Sequence, residues 1–353
     1  MKKILLLVLC FTILVGVSAC STEDSNSKES GNKNVTEKEN TKQSEELQKI
    51  TISEPVRGIL WAPVHLAKEL GYFEEQGLDV DIVTVQGDVP TAPVLSGDAQ
   101  FGLFGPEMIL GFNEKMQGTK LLITATDKFP YSFVSSPEYN SIESLKGTSI
   151  NGADSGSSPR QFVRSVLKSA GLNVDSDASY VKMPNSGILA ALENKDVSAT
   201  YASPETRQLL LDSGAKMLVD MYEPEVHKKI LNSETYEMYI TFTTDKYIEE
   251  NPEVVQKYVN AVYKATLWTN EHSVEEIIEA IRPSFSDNEY LERTIREIKD
   301  NGIFSETGDF SDSGFDAINE MAKASGIIKD KVSREKAIDD SFLKEAQKTI
   351  NLD

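Results

Sequence analysis

The chain has 353 residues, 56 acidic against 36 basic, a formal charge of −20, and two cysteines, Cys10 and Cys20. Binding to a phosphate backbone needs clustered Lys and Arg, so nucleic acid is excluded as a partner. With both cysteines in the first twenty residues, the rest of the chain has no disulfide, thiol nucleophile or cysteine metal site.

Lys2 and Lys3 precede an uncharged apolar stretch from Ile4 to Val17, shorter than the roughly 20 residues a spanning helix needs. Residues 1–19 therefore read as a signal peptide, and losing its two lysines moves the formal charge from −20 to −22. Val17-Ser18-Ala19-Cys20 resembles a bacterial lipobox, which implies lipidation of Cys20 and its exposure as the mature N-terminus. The plainer alternative is a secretory signal cut near Ala19. From Ser21 to Lys49 the only large apolar residues are Val35 and Leu47, too few to offset ordering entropy, so residues 20–49 read as a flexible, lipid-anchored linker. Such a coil would span roughly 30 Å. About 305 residues remain to fold, which suggests two domains around one cleft.

The alternation at Ile50 to Glu54 predicts a strand, and Val64, Leu66, Ala67 and Leu70 a helix that Gly71 stops. A strand from Leu78 to Val83, a helical stretch at Pro90 to Leu95, a buried strand from Phe101 to Phe104, a helix from Pro106 to Lys115 and a strand from Leu121 to Ala125 follow. The pattern repeats with strands near Tyr131–Ser135, Ser149–Gly152, Ser179–Met183, Val197–Tyr201 and Met217–Val219, separated by helices at Pro159–Ala170, Gly187–Glu193 and Pro204–Ser213. This alternation predicts α/β architecture with largely parallel sheets. After a strand at Glu237–Thr243 the chain turns helical. Asn251-Pro252-Glu253 starts a helix whose Val255, Tyr258, Val259, Val262 and Thr266 form one apolar face. That face predicts a return of the chain to the first α/β unit.

Six segments, in order, carry a resemblance: Leu70 to Val80 (LGYFEEQGLDV), Leu95 to Gly102 (LSGDAQFG), Ser144 to Gly147 (SLKG), Leu167 to Leu172 (LKSAGL), Leu189 to Val197 (LAALENKDV) and Glu250 to Val255 (ENPEVV). From about Ile50 to Trp268 the chain resembles the substrate-binding proteins of nitrate, sulfonate, taurine and thiamine-pyrimidine ABC importers. The resemblance implies a two-lobed, type II periplasmic-binding-protein-like fold with a helical C-terminal extension on the first lobe. Residues 50–132 plus 237–353 would form one lobe and 133–236 the other, with ligand captured between them and delivered to a permease.

In open sheets, ligands sit beyond the carboxyl ends of strands. That rule selects Arg57, Gly58 and Trp61; Gly105, Pro106 and Glu107; Asp127 and Phe129; Ser155, Gly156, Ser157, Ser158 and Arg160; Asn185 and Ser186; Ser203 and Glu205; and Tyr222. Those taken as ligand-binding are Trp61, Gly105, Glu107, Phe129, Ser155, Gly156, Ser157, Ser158, Arg160, Asn185 and Glu205. Ser158 is expected to cap a helix, with Pro159 at its first position and Gln161 closing a capping box, which leaves backbone N–H groups for an anionic or accepting ligand group. Trp61 either stacks on a planar ligand or packs against the C-terminal helices. Glu107 and Glu205 follow prolines at helix starts, where acids are stabilising without a ligand. Facing the cleft, they would favour an amino or ammonium group. Arg57 or Arg160 could pair with a sulfonate or carboxylate.

Catalysis is not expected. His65, His227 and His272 are scattered without metal-ligand spacing. In the branch of the family that makes a thiamine pyrimidine, the implied histidine position is Trp61 here, and the cysteine-rich run is missing. No cofactor or metal is expected. The expected partners are a small-molecule ligand and permease subunits, with the chain a monomer on the outer face of a cell membrane. Sulfonate or taurine-like compounds and amino-pyrimidines fit the ligand site about equally, and nitrate less well. The alternative is a tethered sensor or a protein-binding surface lipoprotein.

Overall fold

The computed structural model describes residues 46–85, 91–153, 157–286 and 288–352. The expected signal peptide, Cys20, nearly all of the linker, and Ser155 and Gly156 lie outside them. Ten strands form two sheets: β1 (Gln48–Glu54), β2 (Leu78–Thr84), β3 (Phe101–Phe104), β4 (Thr119–Thr124), β5 (Ser132–Ser135), β6 (Thr148–Asn151), β7 (Ala178–Val181), β8 (Ala199–Ala202), β9 (Lys216–Asp220) and β10 (Ile240–Thr244). The first sheet is ordered β2-β1-β3-β10-β4 and the second β7-β6-β8-β5-β9. Within each, the pairs among the first three strands are parallel. The fourth strand, β10 or β5, is antiparallel to both neighbours. The odd strand in each sheet is the one the chain enters immediately after crossing from the other.

Apolar periodicity sets the register. Leu78, Val80 and Ile82 of the edge strand β2 are buried while Asp79 and Asp81 face water, placing charge on an open edge. Gly102 in β3 is required by packing, because a Cβ there would lie 2.3 Å from the Phe242 ring. The helix Pro252–Glu271 buries Val255, Tyr258, Val259, Val262 and Thr266 as expected and shares a core with the first sheet, Phe101 stacking on Tyr258 at 3.9 Å.

The two crossings run side by side. Ala125 N–H donates to Tyr239 O and Tyr236 N–H to Asp127 O, each at 2.8 Å. These bonds occupy residues 236–239, so β10 begins at Ile240 rather than at the expected Glu237. A third segment joins them: Asp127 N–H donates to Ile303 O and Ser305 N–H to Ala125 O. A helix at Pro224–Leu231, absent from the expected elements, buries only His227 and Leu231. His227 Nε2 accepts from Phe129 N–H at 3.2 Å while Nδ1–H donates to Ser233 O at 2.8 Å. Burial lowers its pKa and favours this neutral tautomer. One apolar cluster runs beneath the crossings, from Ile109, Leu121 and Phe315 to Phe133, Phe162 and Val163.

Candidate functional site

The end of β1 is anchored first. Glu54 is fully buried, with Oε2 3.1 Å from His65 Nε2, and Oε1 accepting from Thr84 Oγ1 at 3.0 Å and from Arg57 Nε at 3.1 Å. Burial opposes its ionisation, but the His65 contact, Thr84 and Arg57 together outweigh it and hold the carboxyl below its ordinary value. Arg57 is thus committed to a structural carboxylate. The next residues form the short turn Ile59–Trp61 before the helix Ala62–Glu69. A Cβ on Gly58 would approach the Trp61 ring to 2.9 Å, so the indole seats over a bare backbone. Trp61 is only 4% exposed, meets Tyr239 edge-on at 4.7 Å, and leaves its buried Nε1 without a hydrogen-bond partner.

Tyr239 extends this cluster toward the second sheet. Its hydroxyl lies 2.8 Å from that of Tyr131, whose ring is 5.4 Å from Tyr201. Burial pushes both Tyr131 and Tyr239 up, and the charge of Glu205 pushes both further; Tyr239 also feels Glu107. The charges of the two carboxylates thus both reach Tyr239, although the two residues come from different halves.

Glu107 follows Pro106 at the start of the helix Pro106–Glu114 and is 1% exposed. Ser158 Oγ donates to its Oε2 and Tyr236 OH to its Oε1, both at 2.6 Å. Burial raises its pKa and these two hydroxyls only partly oppose that. Ser158 belongs to the second sheet's helix, so this bond links the two halves. Gly105 permits the approach: a Cβ there would sit 2.7 Å from Ser158 Oγ.

The expected cap is displaced by one residue. Ser157 is the N-cap of the helix Ser158–Ser169 and accepts from Arg160 N–H at 3.4 Å, while Ser158 is inside the helix. The Ser158 hydroxyl cannot cap because it is turned to Glu107, so the predicted capping box with Gln161 does not form as expected. Arg160 donates from Nη2 to Ala153 O at 2.8 Å and lies over the Tyr180 ring at 4.4 Å.

In the second half, Asn185 Nδ2 donates to Glu205 Oε2 at 3.0 Å. Burial pushes Glu205 up, with Asn185 and Ser203 opposing. Phe129 is fully buried, its ring packed among Tyr131, Phe162 and Tyr236, which places it in the core under the crossing. Sequence reasoning missed Tyr131 and Tyr239 as site residues because it assigned both to strands. It also missed Arg207, which donates to Ser132 Oγ at 3.1 Å, pairs with Asp220, and reaches Glu297 of the C-terminal helices at 3.3 Å. No local signal marks that pairing, since 90 residues separate Arg207 from Glu297.

A surface depression of about 810 Å³ lies elsewhere, on the C-terminal helices around Tyr290 and Arg296. Its arginines are engaged, Arg282 with Glu292 and Arg296 with Glu275. It lacks the aromatic rings and buried carboxylates that meet at Tyr239.

The family model described as NMT1/THI5 like matches residues 60–276. The Bacillus subtilis strain 168 protein named as binding protein YtlA is 26% identical over 285 residues, spanning 75% of this chain and 79% of its own. Among solved structures, a Bordetella bronchiseptica RB50 protein superposes with a TM-score of 0.73 at 22% identity, covering 86% of this chain and 98% of its own. The alkanesulfonate-binding protein SsuA from Xanthomonas axonopodis pv. citri, bound to MOPS, gives 0.63 at 16% identity and 84% and 99% coverage. The desulfurization enzyme DSZB gives 0.60 at 16% identity and 85% and 99% coverage. The fold is accordingly the two-lobed one of periplasmic binding proteins, and it serves both binding and catalysis.

Proposed function

The chain belongs to the NMT1/THI5-like family, and from that premise we propose that it captures a small polar organic solute between its two lobes and delivers it to an ABC permease. The observation that carries this reading is the contact of Trp61 and Tyr131 with Tyr239, whose hydroxyl feels the charges of Glu107 from one lobe and Glu205 from the other. Such a site closes around a ligand whose parts touch both halves. The lobe boundaries are those drawn from sequence, 50–132 plus 237–353 and 133–236. Trp61, Gly105, Glu107, Asn185, Glu205, Arg160, Ser157 and Ser158 are the described residues assigned to the approach.

Binding is favoured over catalysis because the histidines are committed elsewhere: His65 to Glu54, His227 to the crossing, and His272 stacked on Trp268 at 4.0 Å. For the ligand, an amino-pyrimidine suits the planar rings and carboxylates better than a sulfonate or taurine-like compound. Lipidation at Cys20, a linker over 20–49, and a monomeric body on the outer membrane face complete the proposal. Among the described residues no helix is long and apolar enough to cross a membrane.

A thermal-shift screen of the full chain against pyrimidines, taurine, alkanesulfonates and nitrate tests this reading. A ligand at a hundred times its Kd stabilises by about 2.7 kcal/mol. If no compound in these classes moves the transition, solute capture as proposed is wrong. Radiolabelled palmitate incorporated into wild type and not into Cys20→Ser would support the anchor, and equal labelling would refute it.

A further inference from the structure

We infer that the captured solute is an organic cation, carrying an ammonium or amidinium nitrogen beside a hydrogen-bond acceptor, and not a sulfonate or nitrate anion. This rests on the solute-binding reading above and adds the sign of the ligand's charge.

Charge compensation carries the argument. Glu107 is all but completely buried, and its oxygens are held by two hydroxyls, Ser158 and Tyr236. Glu205 receives an amide, Asn185. Among the described residues neither carboxylate has a Lys, Arg or His partner within salt-bridge distance. Two of the cations nearby sit in ion pairs of their own. Arg57 pairs with Glu54, and Arg207 lies between two carboxylates, Asp220 and Glu297. Arg293 donates to the Glu205 carbonyl and lies over Tyr290, and Arg160 donates to Ala153 O and lies over Tyr180. Burial holds both carboxyls toward the neutral form until a cation arrives, so such a site favours a ligand that brings positive charge and disfavours one that adds negative charge.

Two further observations agree with this. Trp61, Tyr239, Tyr131 and Tyr201 form a continuous run of rings beside the carboxylates. Their negative faces favour a desolvated cation. The indole Nε1 of Trp61 is a buried donor with no acceptor in the protein. Leaving such a donor unmet is unfavourable, so a ligand atom that accepts from it contributes to affinity.

Matched probes test the charge directly. Benzamidine and benzenesulfonate share a ring and oppose in charge, and benzamide is the neutral control; choline, agmatine, hexanesulfonate and nitrate widen the set. Calorimetric titration of the full chain is expected to show binding of at least one cation and of none of the anions. Glu205→Gln should weaken that cation at least tenfold, whereas Glu205→Asp, which keeps the charge, should retain most of the affinity. If Gln fails to fold, the Asp variant and the probe pairs still decide. Binding of a sulfonate or nitrate in place of the cations, or binding of benzamide as tightly as benzamidine, overturns the inference while leaving solute capture intact. Failure of these probes and of the pyrimidine and sulfonate screen alike overturns both.

Discussion

The protonation of Glu237 is tied to stability. It is 1% exposed, accepts from Ser311 N–H at 3.1 Å through Oε1, and has no partner for Oε2. Burial pushes its pKa from an ordinary 4.5 to about 6, against the Ser311 and Thr235 hydrogen bonds. An acid with a raised folded-state pKa binds its proton more tightly when folded. Its contribution is therefore complete below pH 4.5 and is lost as pH rises through about 6, a span worth about 2 kcal/mol. Urea midpoints of wild type should fall across that window relative to Glu237→Gln, which lacks the titration; parallel curves would refute the assignment. Gly105 gives a second prediction at this scale. Gly105→Ala drives a methyl to 2.7 Å from Ser158 Oγ and 3.1 Å from Glu107 Oε2, and both atoms are fixed by their mutual bond. Equilibrium denaturation should show a loss of about 1–3 kcal/mol, and an unchanged midpoint would mean that the two halves do not meet at this point.

At the scale of elements, the start of the helix Ser158–Ser169 separates two roles that adjacent serines play. Ser157 caps, so Ser157→Ala should cost about 1 kcal/mol in an unfolding titration, the usual effect of losing a cap. Ser158 instead satisfies Glu107 Oε2, and Ser158→Ala leaves a buried acceptor unmet, at about 1–3 kcal/mol. If Ser157→Ala proves harmless, the register reverts to the one expected from sequence. That expectation failed for a physical reason. Ser-Ser-Pro offers two equivalent caps to local rules, and the choice is made by a carboxylate that reaches the helix from another sheet. Strand positions and helix faces were legible because their signal is local: Leu78, Val80 and Ile82 announce β2, and the Tyr258 face announces its helix. The start of β10 was not, because residues 236–239 form bonds to the other crossing that no periodicity records. The candidate site was half legible. Trp61, Glu107 and Glu205 follow strand ends as the general rule for open sheets requires, whereas Tyr131 and Tyr239 become a pair only when the crossings lie together.

For the whole molecule, the decisive question is what holds the two lobes in contact. Among the links that bridge them are Ser158 to Glu107, Arg293 to the Glu205 carbonyl at 3.2 Å, and Arg207 to Glu297 at 3.3 Å. The last is the strongest candidate for a latch. Its side chains are only 17% and 9% exposed, so screening by solvent is weak, and Arg207 is pre-aimed by Asp220 within its own lobe and by Ser132 at the first crossing. Opening would leave Arg207 with Asp220 but leave Glu297 without a cation. Coupling of such a pair is about 0.5–3 kcal/mol, and Glu297→Gln should shift the open–closed balance by that amount. Under the proposed function, in which the closed form holds the ligand, the apparent Kd should rise as the closed fraction falls. The ligand-free variant should also show a larger radius of gyration by small-angle X-ray scattering than wild type. Asp220→Asn, which disturbs Arg207 without cutting a link between lobes, is the control and should change the radius less. Equal radii for Glu297→Gln and wild type would mean that the apolar cluster beneath the crossings, and not the ion pair, sets the closed geometry.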